Sequence, residues 1–172
     1  MTSVDHSLLV EAARRGDREA FGELYRHYGR MVHGILLSRV PRGEVDDLVQ
    51  DAFLQALRRL DTLRDPRAFG GWLAMLTRHL AQDRSRARRE HAEVDDSFAA
   101  PESTHAEALA VMRLLRGLPE AFREPLVLRL IEGLSGPEIA EMTGMTPGSV
   151  RVNLHRGMSL LRERMGVERR DV

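Results

Sequence analysis

The chain contains neither cysteine nor lysine, and each absence excludes a class of chemistry. Without cysteine there is no disulfide, no thiolate nucleophile and no cysteine-based zinc site. Without lysine there is no P-loop lysine, no Schiff-base lysine and no Ser–Lys dyad. The seven histidines show neither the HExxH spacing nor the acidic neighbours of a metal site. We therefore predict a protein that is not an enzyme and that holds no cofactor and no metal.

Aromatic residues and long apolar runs are also scarce. Only 5% of the residues are aromatic, although 42% are hydrophobic, which is enough for a core. No apolar stretch approaches the length of a membrane span, and the N-terminus has no signal-peptide core. The sequence therefore predicts a cytoplasmic protein without membrane insertion.

The charges balance overall but are unevenly distributed. All 26 basic residues are arginine and 26 residues are acidic, so no net charge draws the whole chain to nucleic acid. Residues 67–91 nevertheless carry six arginines against two acids, whereas residues 92–110 carry five acids and no arginine. A neutral protein with such a distribution can still present a local basic face.

Apolar residues recur at helical spacing along most of the chain. In the first half this pattern predicts four helices, namely Ser7–Arg15, a helix capped by Asp17, Glu44–Leu60, and a helix opened by Asp65-Pro66. In the second half it predicts Glu107–Arg116 and Pro119–Glu132. We place Leu57 in the buried stripe of the third helix and Leu130 in the core of the second half.

The segment between the two halves breaks the helical pattern. Its residues, HAEVDDSFAAPEST, are acidic, small or polar, which is typical of a flexible linker. The predicted fold is therefore all-α, with two small helical domains joined by this linker. The predicted boundaries are 1–90 for the first domain, 91–105 for the linker and 106–172 for the second domain.

A helix-turn-helix is predicted between Gly133 and Met165. Ser135 and Glu138 have the spacing of a capping box, so the first helix should begin at Ser135. Gly144 permits a tight stop, and Thr146-Pro147 supplies an N-cap followed by proline at the first helical position. Two helices joined in this way have the geometry that sets a recognition helix in a DNA groove.

The second helix of this motif has an apolar face and a polar face. Val150, Leu154, Leu161 and Met165 share the apolar face. The candidates for base or phosphate contacts are Ser149, Arg151, Asn153, His155 and Arg156, because arginine can pair with guanine and asparagine with adenine. The alternative interpretation is an ordinary helical hairpin with a solvated basic face.

Several segments in a fixed order resemble a known family. They are DREAFGELYRHY, DDLVQDAFLQAL, FGGWLAMLTRHLAQDRSRARR, and LRGLPEAFREPLVLRLIEGLSGPEIAEMTG followed by the recognition helix. In this order they resemble an extracytoplasmic function (ECF) sigma factor of the sigma-70 family. The resemblance implies that the first domain is region 2 and the second is region 4. It also implies that the chain directs core RNA polymerase to specific promoters and initiates transcription.

The resemblance assigns expected partners and contact residues. The partners are core RNA polymerase, through its beta-prime coiled coil and beta flap, promoter DNA, and an anti-sigma factor that holds the chain inactive. The expected polymerase contacts are Asp46, Asp47, Gln50, Asp51 and Phe53. The expected minus-ten DNA contacts are Leu63, Arg64, Arg67, Arg78, His79, Arg84 and Arg86. The expected minus-thirty-five DNA contacts are Thr146, Ser149, Arg151, Val152, Asn153, His155 and Arg156.

Several positions depart from the usual family pattern, among them Leu63, where the family often has an aromatic residue, and Gly136-Pro137, where a bulky and an acidic residue are more usual. The family usually has asparagine where His79 stands, and a Ser–Arg pair where Val152-Asn153 stands. In this interpretation Val152 could meet a thymine methyl group. Trp72 shares an apolar face with Phe69, so we interpret it as a core residue.

Two other classes of protein remain open from the sequence. One is a free-standing transcriptional regulator with a C-terminal helix-turn-helix and an N-terminal sensing or dimerising domain. The other is a helical adaptor or enzyme with an incidental basic hairpin. The acidic DDLVQDAF segment and the arginine-rich segment disfavour the first, and the missing lysine, cysteine and metal spacing disfavour the second.

Overall fold

The computed structural model describes residues 6–91 and 105–166, leaving out the side chains of residue 91 and of residues 105–109. The predicted linker therefore lies almost wholly outside the described residues. The described part is all-α, as predicted, and contains no strand. Its helices are α1 (Ser7–Arg14), α2 (Arg18–Leu37), α3 (Arg42–Arg59), α4 (Phe69–His91), α5 (His105–Arg116), α6 (Glu120–Leu130), α7 (Gly136–Thr143) and α8 (Pro147–Arg164).

Helices α1 to α4 form one unit, in which α2 packs against each of the other three. The Asp17 carboxylate caps α2 by accepting from the backbone N–H groups of Glu19 and Ala20, as the sequence predicts. The start of the fourth helix differs from the prediction. Asp65 caps a short 3-10 turn, Pro66–Ala68, and the α-helix begins only at Phe69.

Helices α5 to α8 form the second unit, with α6 at its centre. Five consecutive residues of α6, from Glu124 to Leu128, are buried. A helix that is buried on every side must have neighbours all round it. These neighbours are α5, α7 and α8 within its own unit, and α2 of the first unit. Helix α6 therefore joins the two units into one continuous core.

Two residues predicted to be buried are exposed, and so is the last residue of the predicted apolar face of the recognition helix. Leu57 is 46% exposed on α3, Leu130 is 43% exposed at the end of α6, and Met165 is 51% exposed just beyond α8. Leu57 lies on the exposed side of α3 together with Gln50 and Leu54, whereas its neighbours Ala56 and Leu60 are buried. For Leu130, hydrophobic periodicity could not predict which side of the helix is buried, because α6 is apolar on several sides.

The local signals of the helix-turn-helix are confirmed. Ser135 and Glu138 form the capping box, with Glu138 N–H donating to Ser135 Oγ over 3.3 Å and Ser135 N–H donating to Glu138 Oε2 over 2.7 Å. Gly144 ends α7 in the left-handed conformation at φ +72°. Thr146 caps α8 by accepting from the Ser149 N–H, and Pro147 takes the first helical position.

A glycine allows α6 and α8 to cross closely within the second unit. A Cβ atom on Gly157 would lie 2.8 Å from Leu126 Cδ1 and 3.0 Å from Phe122 Cβ. Gly22 of α2 is also helical, but a Cβ atom there would meet nothing within 4 Å. Substitutions at these two glycines therefore separate the effect of packing on stability from the effect of helix propensity.

We expect Gly157→Val to lower the free energy of unfolding by about 2 kcal/mol, because the added methyl groups force α6 and α8 apart. Urea denaturation monitored by circular dichroism measures this change. Gly22→Val is the matched control, and it should leave stability unchanged or slightly higher because valine has a better helix propensity than glycine. Equal stability of the two variants would contradict the packing role of Gly157.

Candidate polymerase and nucleic-acid interfaces

The acidic segment of α3 forms an exposed face. Asp46, Asp47, Gln50 and Asp51 are all exposed, as a docking surface requires. Phe53, which was grouped with them, instead points into the core, where its ring centroid lies 4.3 Å from that of Tyr25. Phe53 can support this face from beneath, but its side chain is not part of the accessible surface.

Apolar residues that were not expected on the acidic face extend it. Leu54 and Leu57 are about half exposed and follow Gln50 at spacings of four and seven residues, so the three lie on one side of α3. Tyr25 of α2 is 41% exposed and stacks on Phe53 beside them. The sequence signal that could have predicted this is the helical spacing of the two leucines after the polar residues. A mixed acidic and apolar surface is typical of a protein-binding site.

The arginines of α4 divide between two faces. Arg84 and Arg88 point towards α3, where the Glu44 carboxylate lies 2.5 Å from Arg84 Nε and 3.7 Å from Arg88 Nε. The hydrogen bond to Glu44 raises the pKa of Arg84 above its ordinary value. Met75, His79 and Arg86 are exposed on a different side of α4. They lie on one side because they are spaced four and seven residues apart.

Arg78 is occupied by a carboxylate of the second unit. Its Nη2 lies 2.6 Å from Glu124 Oε1, and its Nε donates to both carboxylate oxygens over 3.1 Å. Glu124 is only 4% exposed and also accepts from Arg39 Nη2 over 2.7 Å. Burial acts to raise the pKa of Glu124, but the hydrogen bonds and charges of Arg78 and Arg39 outweigh it and the pKa is lowered.

The loop before α4 contributes exposed and buried positions. Arg64 and Arg67 are exposed, and Arg67 pairs with Asp65 at 3.2 Å. Leu63 is buried, and its carbonyl oxygen accepts from the Arg14 guanidinium of α1. The Leu63 side chain therefore anchors the loop in the core, and in this conformation it is not accessible to a base.

The recognition helix α8 presents a polar face away from the core. Ser149, Arg151, His155 and Arg156 are exposed, Asn153 is half-buried at the margin, and Thr146 is exposed at the cap. Val152 is 42% exposed, with Arg151 and His155 to one side of it and Ser149 and Arg156 to the other. The opposite side holds Val150 and Leu161, which are buried. Leu154 is partly buried against the core.

Arginines of the second unit bind the C-terminal end of α2. Arg116 Nη2 donates to the Leu37 carbonyl over 3.4 Å and to the Val40 carbonyl, just beyond the helix, over 2.7 Å. Arg123 Nη1 donates to the Ser38 carbonyl over 3.3 Å. The last carbonyls of a helix lack intrahelical partners and carry partial negative charge, so guanidinium groups stabilise them. Each unit therefore contributes arginines to polar groups of the other.

Glycines bring the backbones of the two units into contact. A Cβ atom on Gly70 would lie 2.8 Å from the Met142 carbonyl oxygen, and one on Gly144 would lie 3.1 Å from Gly71 Cα. On α2, a Cβ atom on Gly34 would lie 2.6 Å from Leu128 Cδ2 of α6. Gly144 thus has two functions, because it ends α7 and also approaches α4. Only the first was apparent from the sequence.

A histidine–glutamate pair also crosses between the units. His33 Nδ1 on α2 lies 2.5 Å from Glu132 Oε1, which follows α6. The hydrogen bond to Glu132 raises the pKa of His33, partly opposed by burial. Asp46 raises the pKa further and Arg42 lowers it, both from α3. Arg30 is also near the pair and donates to the Glu132 backbone carbonyl over 3.1 Å.

Within the described residues, neither a membrane-spanning helix nor a group of metal-binding side chains is present. None of the helices within 6–91 and 105–166 is long and apolar enough to cross a membrane. In the same part of the chain, no group of three or more histidine or acidic side chains is placed so that it could hold a metal ion.

Comparison with known proteins identifies the two units. The family model of Sigma-70 region 2 matches residues 24–91, and that of Sigma-70 region 4 matches residues 108–161. The chain is 32% identical over 168 residues to the ECF RNA polymerase sigma-E factor of Escherichia coli, and the match covers 87% of this chain and 88% of that protein. The chain belongs to the ECF RNA polymerase sigma factors.

Other relatives of this ECF sigma factor agree with that assignment. It is 32% identical to the ECF RNA polymerase sigma factor BldN of Streptomyces coelicolor over 89% of this chain, but spans only 63% of that protein. The structure of CnrH in complex with the cytosolic domain of CnrY matches with a TM-score of 0.68 and 28% identity, covering 97% of this chain and 100% of that one. The fold is also that of RpoE from Bartonella quintana, at a TM-score of 0.59 and 21% identity.

The His33–Glu132 pair should make the sigma factor lose stability as the pH rises. Because the pKa of His33 is raised on folding, its contribution is complete below the unfolded value of about 6.5 and is lost as the pH passes the folded value. We expect the free energy of unfolding to fall more between about pH 6 and pH 8.5 in the wild type than in His33→Gln. Denaturation with urea at both pH values gives the comparison.

The comparison with His33→Gln removes the contribution of the other histidines. His27, for example, has a lowered pKa because of burial, so it contributes in the opposite direction in both proteins. An identical pH dependence in the wild type and in His33→Gln would show that the pair does not stabilise the fold.

Proposed function

We propose that this sigma factor docks on core RNA polymerase through the exposed face of α3, contacts the minus-ten element through α4 and the preceding loop, and binds the minus-thirty-five element through α8. The observation that supports this proposal is that one chain has an exposed acidic and apolar face on α3 and an exposed polar face on α8. The described residues in the docking face are Asp46, Asp47, Gln50, Asp51, Leu54 and Leu57.

On DNA, the proposed contacts follow the exposed side chains. For the minus-ten element they are Arg64, Arg67, His79 and Arg86, with Arg78 and Arg84 available once their present carboxylate partners release them. Opened bases need cations along the backbone and surfaces on which they can be captured. Leu63 and Phe53 act by holding the loop and α3 in place, because both are buried.

For the minus-thirty-five element the proposed contacts are Thr146, Ser149, Arg151, Val152, Asn153, His155 and Arg156. Val152 lies near the middle of the exposed side of α8, where an apolar contact with a thymine methyl group is possible. The N-terminus of α8 can bind a phosphate, because the helix dipole favours negative charge there.

We propose further that a protein partner of the anti-sigma class binds this chain and keeps it from polymerase. The similar CnrH was solved in complex with the cytosolic domain of another protein, CnrY. This chain contains no cysteine, so a thiol-based signal would have to act on the partner.

The general test is run-off transcription by purified core polymerase on a genomic DNA library, followed by mapping of the start sites. A sigma factor produces defined start sites that are absent with core polymerase alone. Core-independent binding to DNA with no start sites would instead indicate a free-standing regulator.

Charge reversal on α3 should abolish docking. We expect Asp47→Arg with Asp51→Arg to lose binding to core polymerase in a pull-down assay, because the exposed face changes sign. Glu19→Arg with Glu23→Arg is the control, since it makes the same change of net charge on exposed positions of α2. Unchanged binding by the α3 variant would exclude this face as the docking site.

Removal of one guanidinium from α8 should change promoter choice. We expect Arg151→Ala to cost about 1–3 kcal/mol of promoter binding and to relax the preference at one position, if Arg151 reads a base. Binding to a panel of single-base promoter variants measures both effects. Arg162→Ala, on the exposed end of the same helix, is the control for loss of charge. A uniform loss on all promoter variants would make Arg151 a phosphate contact instead.

A further inference from the structure

The second unit covers part of the surface that the first unit needs for DNA. Arg78 is among the residues predicted to contact the minus-ten element, yet it forms two hydrogen bonds through Nε and one through Nη2 to Glu124. Glu124 lies on α6 of the other unit and is almost completely buried. A carboxylate at this depth requires its charged partners, so Arg78 is not free while the units remain together.

The contact between the units is extensive and specific. Helix α4 packs on α7, and α2 packs on α6. Gly34 and Gly70 on the first unit lie so close to the second that an added Cβ atom would be 2.6 Å from Leu128 Cδ2 and 2.8 Å from the Met142 carbonyl oxygen, so no larger residue fits there without displacement. Arg116 and Arg123 cap the end of α2 from the other side. These contacts all lie within this chain and require no partner protein.

The closed arrangement is too short to reach both promoter elements. The minus-ten and minus-thirty-five positions are about 25 base pairs apart, which is about 85 Å of B-form DNA. A compact chain of this length has a radius of gyration of about 16 Å, corresponding to a diameter of about 40 Å. One closed molecule therefore cannot place α4 and α8 on their two elements at once.

We propose that the α5–α8 unit acts as a built-in inhibitor of the α1–α4 unit, with Glu124 as the latch that holds Arg78 and Arg39. Opening of this latch frees Arg78 and lets the two units separate along the promoter. The inference rests on the proposed function for the meaning of Arg78, but closure of the free chain is a separate property that can be measured without polymerase or DNA.

The test compares the full-length wild type with Glu124→Arg, in which three guanidinium groups would meet at the latch. Glu23→Arg is the matched control, because it makes the same change of charge on the exposed side of α2, where Glu23 contacts Arg26. Small-angle X-ray scattering of the free chains gives the radius of gyration. We expect a compact wild type and control, and a larger radius for Glu124→Arg.

Two further variants guard against simple misfolding. Gly34→Leu introduces a wedge between α2 and α6 without changing charge, and Glu124→Gln keeps the shape of the latch while removing its charge. Circular dichroism reports whether each variant keeps its helices. If Glu124→Arg loses helical content, Gly34→Leu decides the outcome, and if both do, Glu124→Gln decides it. A radius equal to that of the wild type in the deciding variant overturns the latch.

The functional readout is transcription by core polymerase from a start site mapped with the wild type, at limiting concentrations of the sigma factor. We expect Glu124→Arg to give at least about five-fold more transcript than the wild type, and Glu23→Arg to match the wild type. A larger radius with unchanged transcription overturns the inhibitory role. If no variant and no wild type supports transcription with core polymerase, the proposed function fails, while the scattering comparison still decides whether the chain closes.

Discussion

The buried carboxylate of Glu124 is the interaction on which the arrangement of this protein depends. Removing a carboxylate from water is costly, and only charged hydrogen-bond donors in good geometry compensate for it. Arg39 and Arg78 supply those donors, and both belong to the other unit of the chain. Because the second unit carries the charge and the first carries its partners, Glu124 is satisfied only when the two units are in contact. Loss of both partners would leave a charge without compensation in the interior.

The rest of the interface follows from this constraint. Close approach of the surrounding helices excludes water from this ion pair, which strengthens its hydrogen bonds and makes an unpaired charge there costly. Glycines on α2, at the start of α4 and at the end of α7 remove the side chains that would keep those helices apart. The arginines that cap α2 then occupy polar groups that would otherwise be buried without partners. The exposed faces of α3 and α8 lie outside this interface and remain accessible.

Local features were well predicted because they depend on few neighbouring residues. The caps at Asp17, Ser135 and Thr146, the left-handed Gly144 and the proline start of α8 were all apparent from sequence spacing and are present in the structure. Leu57 and Leu130 were wrongly placed in the core, because a helical pattern shows which residues are apolar but not which of several apolar sides a neighbouring helix covers. Phe53 and Leu63 were grouped with contact residues by their position in motifs, although both side chains are buried.

The sequence by itself determined the helices, their caps, the all-α class and the family. Hydrophobic period and capping residues are local properties, and the order of the motifs is read directly along the chain. The sequence also indicated which polar residues could face DNA or polymerase. Only the tertiary structure decided which of them are free. Arg86 and His79 remain exposed while Arg78 is held by Glu124, and these residues share one helix within nine positions of each other. The difference arises from a partner 46 residues away from Arg78 along the chain, and such a contact depends on how helices pack rather than on any spacing within them.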